Sequence, residues 1–573
     1  MTDQTDSTIA TPTLEDWQHW TLVMGRAQQM LMETWADGLT QDGLMAKPAA
    51  ADPMALLTAG AEAWSKGLAA WGQMLGGIAK AGETRDRRFA SAEWSENPLF
   101  DTIRQSYLAI SDQLLGSVDK VEGLDGAARS KLKFATRSFV DAMSPSNFAL
   151  TNPEVMKRTI ETRGDNLLSG LHNMLSDIKA GQLTQTKPGA FEVGRNLATT
   201  PGKVIYETRL FQLIHYAPTT PDVLATPLVV FPPWINRFYI LDLTPEKSFV
   251  RWTVDQGVSL FMVSWKSADA SLADVMLDDY VAAQIEAVDV IRDQLGVTAV
   301  HTIGYCVAGT TLAATLALLA ERGEADKVAS ATFFTAQVDF EKAGDLTLFL
   351  GDDVMEMLGK LTTETGTLDG RYMAATFNLL RGRDLIWNYV VNNYLLGQEP
   401  APFDLLHWNS DTTNLPAGWH RDYLETMYRQ NLLVKAGAII VDGTPIDLKK
   451  IRTPAYIQAG REDHIAPPQS VWKLMDHLAG PKRFVLAGSG HIAGVVNPPA
   501  LGKYQYWRGA DDAQSLAAFV EGAVEHKGSW WPDWIEWLRE QVPGMVKADG
   551  ARVPGEGKYK AIEDAPGRYV KSR

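Results

Sequence analysis

The chemistry of the sequence centres on its single cysteine, Cys306, within the segment Gly304-Tyr305-Cys306-Val307-Ala308. A run rich in β-branched residues, 299–303, precedes this segment, and leucines at helical spacing follow it. The pattern predicts a buried strand, a sharp turn and a helix. Gly304 and Ala308 are small residues two positions before and after the cysteine, which is the spacing of a nucleophile elbow.

A thiol suits such a turn because it ionises with a pKa of ~8.5, far more easily than a hydroxyl group. The alternative interpretation is that Cys306 is a small buried hydrophobic residue and that the spacing arises by chance. An acid and a histidine later in the chain, each after a strand, would favour the nucleophile.

Both partners follow in that order. A strand pattern at 453–459 ends in Gly460-Arg461-Glu462-Asp463-His464, and another at 483–486 ends in Gly488-Ser489-Gly490-His491. Doubly wound sheets present their active residues at the carboxyl ends of strands. The sequence therefore predicts a triad of Cys306 as nucleophile, Asp463 as acid and His491 as base.

Three neighbouring residues are alternatives for these roles. His464 adjoins the acid, but a glycine-rich turn after the last strand lets His491 approach the thiol from its own loop. Glu462 competes with Asp463, whose shorter side chain holds an imidazole more firmly. His301 lies within the strand before the cysteine and is interpreted as a core histidine.

From residue 191 onward, strand patterns alternate with helical ones. Residues 204–206 and 210–214 predict an opening hairpin, 228–231 a buried strand that ends at Pro232-Pro233, and 258–265 the next strand. Such alternation predicts an α/β fold with a mainly parallel, doubly wound sheet. The loop that begins at Trp234 occupies the place from which hydrolase-like sheets donate an oxyanion-hole amide.

Residues 341–447 break this rhythm with many aromatic residues among asparagines and aspartates, a mixture typical of neither a strand nor a regular core helix. We interpret them as an inserted cap, or lid, within a catalytic domain of residues 191–573. The aromatic residues are Trp387, Tyr389, Tyr394, Trp408, Trp419, Tyr423 and Tyr428.

Residues 1–190 are predicted to form a helical N-terminal domain. Trp17, Trp20 and Trp35 follow helical spacing, and a second helical stretch covers 54–78. These aromatic residues are interpreted as internal core, with a face for a partner or a hydrophobic particle as the alternative.

Composition limits the possible functions. A net charge of −15 in 573 residues argues against nonspecific nucleic-acid binding. A single cysteine excludes an intrachain disulfide and any multi-cysteine metal site. The N-terminal residues are acidic where a signal peptide is basic, and no apolar run is long enough to span a bilayer. We therefore expect a cytoplasmic protein.

With these residues in place, the sequence resembles the class I polyhydroxyalkanoate synthases, from about Asn147 to the C-terminus. The matching segments are Asn147-Phe148, Thr151-Asn152-Pro153, 191–196, Pro232-Pro233, Ile235-Asn236, 239–243, Gly304-Tyr305-Cys306-Val307, 387–391, 402–406, Trp408-Asn409, 414–416, 461–465, 490–494 and 528–534. The first hundred residues match less clearly.

The resemblance implies an α/β-hydrolase fold and an enzyme that polymerises (R)-3-hydroxyacyl-CoA, typically 3-hydroxybutyryl-CoA, with release of coenzyme A. It implies that His491 deprotonates Cys306, that Cys306 takes the acyl group as a thioester, and that Asp463 orients His491 and helps to activate the incoming hydroxyl group. The amides of Val307 and Ile235 would stabilise the oxyanion. Arg381 matches an arginine near the coenzyme A phosphates, with an ordinary surface arginine as the alternative.

No cofactor is implied, because the coenzyme A thioester is the substrate. The resemblance also implies a homodimer associated with polyhydroxyalkanoate granules, with residues 1–190 in dimer or granule contacts. Trp530, Trp531, Trp534 and Trp537 are expected to pack on the main domain. The basic tail, 555–573, resembles the family's ending.

Two residues depart from the family pattern. Ala308 replaces a more common glycine, which implies altered packing without loss of activity. Trp234 is bulky, and it either narrows the acyl pocket or packs on the cap. Rival functions are an intracellular polyester depolymerase, an acyl-CoA thioesterase, or a noncatalytic granule-associated protein.

Overall fold

The computed structural model describes residues 86–362 and 365–572. The chain forms two compact units, the first of which ends at Lys187 and adds Ala374–Ala401, while the second comprises Pro188–Met373 and Pro402–Arg573. This boundary lies close to the one drawn at residue 190 from the sequence. The tryptophan-rich stretches within residues 1–85 lie outside the described residues.

The first unit is helical over its described residues. Its helices are α1 (Glu93–Glu96), α2 (Pro98–Val118), α3 (Gly126–Ala142), α4 (Pro153–Glu161) and α5 (Asp165–Ala180), with π-helical turns at Arg383–Trp387 and Val390–Leu395. Several of these helices begin with a capping side chain. Asn152, for example, accepts hydrogen bonds from the amides of Glu154 and Val155 at the start of α4. The prediction of a helical region before residue 185 is confirmed for this part of the chain.

Residues 374–401 were assigned to the cap from the sequence, yet they pack within the first unit. The Asn166 amide donates to the Leu395 carbonyl at 2.7 Å, and the Tyr394 hydroxyl group donates to the Asp177 carboxylate at 2.6 Å. A Cβ atom on Gly170 would lie 1.8 Å from the Tyr394 carbonyl oxygen. These hydrogen bonds and the close approach of Gly170 explain why the segment belongs to this unit.

The second unit contains a sheet of eleven strands among its described residues. In chain order the strands are β1 (Gly202–Glu207), β2 (Phe211–Tyr216), β3 (Leu228–Phe231), β4 (Leu260–Trp265), β5 (Val300–Tyr305), β6 (Val328–Phe334), β7 (Ala455–Gly460), β8 (Lys482–Ala487), β9 (Gln505–Arg508), β10 (Val524–Lys527) and β11 (Glu563–Asp564). Across the sheet the order is β10-β9-β8-β7-β6-β5-β3-β4-β2-β1-β11.

The six strands from β8 to β4 in this order are parallel, and the strands outside them pair antiparallel. The parallel centre and the opening hairpin were predicted from the sequence. Strands β9, β10 and β11 were not predicted. Parallel strands covered on both faces are apolar throughout, and β4, β5 and β7 are accordingly buried at every position.

Helices follow the strands on both faces of the sheet: α6 (Phe249–Asp255), α7 (Leu277–Leu295) and α8 (Val307–Glu321). The insertion between β6 and β7 contains α9 (Asp352–Thr362), α10 (Gly370–Leu380), α11 (Asp404–Ser410) and α12 (Ala417–Tyr423), of which α10 belongs to the first unit from residue 374 onward. The remaining helices are α13 (Pro468–Val471), α14 (Lys473–His477), α15 (Leu516–Gly522) and α16 (Trp531–Gln541). The first core cluster includes Phe333 and Ile457, and the second includes Phe334 and Tyr456. Adjacent residues of one strand thus belong to the cores on opposite faces of the sheet.

The prediction that the insertion between β6 and β7 is typical of neither a strand nor a core helix is wrong for three of its aromatic residues. Trp408 lies in α11, and Trp419 and Tyr423 lie in α12, and all three are buried. Trp419 and Tyr423 stack on each other with ring centroids 5.2 Å apart. Stacking among neighbouring rings lets this polar-looking sequence bury a helical face.

The C-terminal tryptophans pack against the sheet, as predicted. Trp530, Trp531 and Trp534 are fully buried, and Trp537 is 5% exposed. The indole of Trp534 donates to the Thr332 hydroxyl group at 3.1 Å. Within the described ranges, no helix combines the length and hydropathy needed to cross a lipid bilayer.

Candidate active site

Cys306 stands at the corner between β5 and α8. Its backbone has φ 53° and ψ −125°, a conformation that is uncommon for a residue with a side chain. The Cys306 amide donates to the Phe334 carbonyl at 2.9 Å, which fixes the corner against β6. The side chain is half-buried. The strand–turn–helix predicted from the sequence is confirmed.

Two glycines allow this corner to form. A Cβ atom on Gly304 would lie 2.5 Å from the Gly309 Cα atom, and one on Gly309 would lie 2.4 Å from the Ala336 Cβ atom. The sequence pointed to Gly304 and Ala308, but the second residue at the tight crossing is Gly309. Ala308 is buried beside it, and its carbonyl accepts a hydrogen bond from Gln284 at 3.1 Å. The methyl group of Ala308 is accommodated in the core, while its carbonyl oxygen would lie 3.0 Å from a Cβ atom on Gly304.

Asp463 and His491 follow β7 and β8, which are neighbours in the sheet. His491 Nδ1 lies 2.7 Å from one carboxylate oxygen of Asp463. The other oxygen accepts hydrogen bonds from the amides of Ile465 and Ala466, each at 2.9 Å. The Asp463 side chain is wholly buried and that of His491 is 10% exposed. The two backbone amides thus hold the carboxylate in place, and its other oxygen orients the imidazole.

The two loops are also joined through their backbones. The Glu462 amide donates to the Ser489 carbonyl at 3.0 Å, and the Tyr305 hydroxyl group donates to the His491 carbonyl at 3.2 Å. The second bond ties the histidine loop to the end of β5. The backbone of His491 is therefore held relative to the elbow by the Tyr305 side chain.

His491 and Cys306 interact directly. Burial lowers the pKa of His491, but the charges of Asp463 and Cys306, with hydrogen bonds to both, raise this pKa well above its ordinary value. Since Nδ1 serves Asp463, Nε2 remains for the sulfur. A histidine hydrogen-bonded to a cysteine can act as the base that activates the sulfur as a nucleophile.

The alternatives from the sequence occupy other positions. The His464 carbonyl accepts a hydrogen bond from the Asp345 amide at 3.1 Å, while the contact of Asp463 with an imidazole is to His491. The Glu462 side chain is exposed. His301 is buried in β5, where its Nδ1 lies 2.8 Å from the Ser330 hydroxyl group and burial lowers its pKa to about 4.

Val307 and Ile235 flank the elbow at the same edge of the sheet. Val307 is the first residue of α8, and the amides of a first helical turn lack acceptors within their helix. Ile235 is half-buried in the loop after β3, the strand next to β5. Their part in an oxyanion hole stays a prediction.

Trp234, beside Ile235, is a packing residue. Its ring stacks on Tyr280 with centroids 3.8 Å apart and meets Trp419 edge to face at 5.1 Å. The side chain is 2% exposed. Of the two interpretations left open by the sequence, this geometry favours packing against the insertion.

Arg381 lies in the first unit, where it pairs with Asp384 at 3.1 Å. Both side chains are more than half exposed, at 57% and 61%. Contact of this arginine with coenzyme A stays a prediction.

Two tyrosines near the sulfur were not identified from the sequence. The Tyr428 hydroxyl group accepts a hydrogen bond from Gln337 at 3.2 Å, and burial, followed by the charge of Cys306, raises the pKa of Tyr428. Burial, then Tyr428 and then Cys306, raise the pKa of Tyr423 as well. The sequence showed an aromatic insertion, but it could not show which rings face the thiol.

The fold and the triad geometry define a protein of the α/β-hydrolase class with a cysteine at the nucleophile position. Two family models agree: residues 85–253 match "Poly-beta-hydroxybutyrate polymerase (PhaC) N-terminus" and residues 264–498 match "alpha/beta hydrolase fold".

Curated relatives extend the match over most of the chain. The chain is 45% identical over 499 residues to the poly(3-hydroxyalkanoate) polymerase subunit PhaC of Rhizobium meliloti, covering 86% of this chain and 80% of the relative. It is 46% identical to the poly(3-hydroxyalkanoate) polymerase of Methylorubrum extorquens, with coverage of 85% and 81%. It is 45% identical to the PhaC subunit of Cupriavidus necator, with coverage of 88% and 86%. The chain belongs to the poly(3-hydroxyalkanoate) polymerase family.

Proposed function

We propose that this protein polymerises (R)-3-hydroxyacyl-CoA, with 3-hydroxybutyryl-CoA as the expected substrate, into a polyester and releases coenzyme A. The observation that carries the proposal is the 2.7 Å hydrogen bond between Asp463 and His491, on a loop that Tyr305 ties to the Cys306 elbow at 3.2 Å. Membership of a polymerase family supports the choice of reaction over other uses of the same fold.

The first half-reaction transfers the acyl group to the enzyme. The Cys306 sulfur attacks the thioester carbonyl, with its proton held by His491 Nε2, and the bond between the acyl carbon and the coenzyme A sulfur breaks. The proton then passes to the departing coenzyme A thiolate. Exchange of one thioester for another costs little free energy, which suits a cysteine better than a serine.

The second half-reaction forms the ester bond. The hydroxyl group of another acyl unit gives its proton to His491 and attacks the acyl carbon on Cys306, so that a carbon–oxygen bond forms and the carbon–sulfur bond breaks. The proton returns to the sulfur. Asp463 keeps the imidazole oriented in both steps, and the amides of Val307 and Ile235 are the proposed donors to the oxyanion.

The reaction also requires that water does not intercept the acyl-enzyme. A lid over the site would exclude water, and the insertion between β6 and β7, in which Trp408, Trp419 and Tyr423 are buried, is the proposed lid. Homodimers, attachment to granules of the product, a cytoplasmic location, and action without a cofactor belong to the same proposal.

The test is incubation of the pure protein with 3-hydroxybutyryl-CoA, with coenzyme A, free hydroxy acid and polymer measured together. We expect polymer to form in proportion to the coenzyme A that is released. Release of coenzyme A with free 3-hydroxybutyrate would instead identify a thioesterase, and degradation of added polyester would identify a depolymerase.

Variants of the triad test the covalent mechanism. Cys306→Ala removes the nucleophile, and we expect no acyl-enzyme in intact-mass spectra and no release of coenzyme A. His491→Gln should slow release by about 10²–10⁴-fold, the usual contribution of a general base. His301→Gln is the matched control, because this histidine lies in β5 outside the triad. Undiminished release by Cys306→Ala would refute the mechanism and favour a protein without catalysis at this site.

A further inference from the structure

The loop that carries Ile235 is held by side chains from distant parts of the second unit. The Thr413 hydroxyl group donates to the Trp234 carbonyl at 2.7 Å, and the Trp408 indole donates to the Arg237 carbonyl at 2.7 Å. Asn236 also forms an antiparallel bridge with Thr412. Residues 408–413 of the insertion therefore fix the backbone on both sides of Ile235.

At the end of this loop lies a buried ion pair. The Arg237 side chain is 1% exposed and that of Asp411 is 6% exposed, with Arg237 Nε 3.5 Å from the carboxylate. The Tyr239 hydroxyl group donates to the other carboxylate oxygen at 2.9 Å. Removing a charged pair from water is costly, and such pairs are weak contributors to stability. The ion pair is therefore better explained by the backbone geometry that it fixes than by a gain in stability.

The same guanidinium reaches two further carbonyl groups. Arg237 donates to the carbonyl of Thr412 at 3.3 Å and to that of Tyr569 at 3.3 Å. Tyr569 is itself anchored, since its hydroxyl group donates to the Thr208 carbonyl at 2.7 Å. One planar side chain thus joins the loop after β3, the insertion and the C-terminal turn, which a lysine could not do with the same directionality.

We propose that Arg237 and Asp411, with Thr413, are positioning residues that hold the Ile235 amide where the oxyanion develops. The inference rests on the proposed function, in which this amide stabilises the tetrahedral intermediate. Oxyanion donors act only when they are preorganised, and a displaced donor loses most of its effect on the chemical step. The pair therefore acts on turnover and not on the reactivity of the thiol.

The experiment compares four proteins: Arg237→Met/Asp411→Leu, Arg237→Lys, Thr413→Val and the parent. Replacing both charges at once avoids a buried charge without a partner. We expect the double variant to lose at least about tenfold in kcat with KM within about threefold, since loss of one donor costs about 10²–10³-fold. Arg237→Lys and Thr413→Val should lose less. Alkylation of Cys306 by iodoacetamide, which needs the thiolate but no oxyanion donor, should stay within about twofold of the parent.

Arg552→Met is the matched control, because Arg552 is also a buried arginine bound to carbonyl groups, those of Leu224 and Ala225, before β3 begins. It should lower the melting temperature without lowering kcat. Equal kcat in the double variant and this control would overturn the inference. If the double variant does not fold, Thr413→Val decides, because it removes one hydroxyl group. An inactive parent would refute the proposed function, whereas an active parent with fully active variants refutes only the positioning role.

Discussion

At the scale of single residues, the charge of His491 couples the site to pH. Its pKa is higher in the folded protein than the ordinary value of ~6.5, because Asp463 and Cys306 outweigh burial. Such a histidine binds its proton more tightly when folded. It therefore stabilises the fold fully below the unfolded pKa, and this contribution is lost as pH rises through the folded pKa.

We expect Asp463→Asn to lower the melting temperature more at pH 6 than at pH 9, because the amide lacks the charge that holds the imidazolium. Differential scanning calorimetry of both proteins across this range measures the effect. Glu462→Gln is the matched control, since that neighbouring carboxylate is exposed, and its difference from the parent should not vary with pH. A loss from Asp463→Asn that is the same at both pH values would contradict the assignment.

Tyr428 is the second residue whose environment points to a role. Burial, followed by the charge of Cys306, raises the pKa of this phenol, so the hydroxyl group stays protonated and can donate a hydrogen bond. We expect Tyr428→Phe to keep the ring packing but to lower kcat by about tenfold, the effect of one hydrogen bond of ~1.5 kcal/mol to a charged group. Steady-state release of coenzyme A measures this. Tyr504→Phe, at an exposed position, is the control, and equal rates for both variants would argue against the role.

At the scale of elements, the elbow depends on how closely α8 crosses β5. Gly309 lies in the first turn of α8, where alanine would favour the helix by about 0.5–1 kcal/mol. Its Cβ atom would, however, lie 2.7 Å from the Gly304 carbonyl oxygen, a backbone atom that cannot rotate away. Overpacking of this kind costs about 1–3 kcal/mol, so the steric effect outweighs the helix preference.

We therefore expect Gly309→Ala to lower the melting temperature and to reduce release of coenzyme A, because the strand and helix must separate at the nucleophile. Gly359→Ala in α9 is the matched control: a Cβ atom there meets nothing within 4 Å, and the change should be neutral or stabilising. A variant at 309 that is as stable and active as the one at 359 would show that the crossing can relax.

The elements that the sequence predicted share a physical cause. Strands β3 to β8 are buried at most positions and rich in apolar residues, so the sequence reveals them. The edge strands carry no such signal: β10 is exposed at all four positions, and β11 has two acidic residues. The identity of Gly309 as the crossing residue depends on a distance between two backbones, which spacing along the chain does not specify.

At the scale of the whole molecule, the sequence could not predict that residues 374–401 belong to the first unit. Its partners in the first unit lie about two hundred residues away, and they are bound mainly through backbone groups: Asn393 donates to the Thr184 carbonyl at 2.8 Å, and Asn173 donates to the Asn393 carbonyl at 3.0 Å. Backbone acceptors leave no trace in hydrophobic periodicity. The insertion could be recognised as one segment, but its division between two units could not.

This division leads to a prediction about Gly170 in α5. A side chain there would collide with the Tyr394 backbone, at 1.8 Å from its carbonyl oxygen, so we expect Gly170→Val to displace residues 390–395 from α5. Trypsin should then cleave the native protein faster after Arg381 and Arg383, and mass spectrometry of the fragments locates the sites. Gly116→Val makes the same change in α2, where a Cβ atom meets nothing within 4 Å, and controls for the cost of valine in a helix. Equal cleavage rates in the two variants would mean that the segment is held to the unit by contacts other than this close approach.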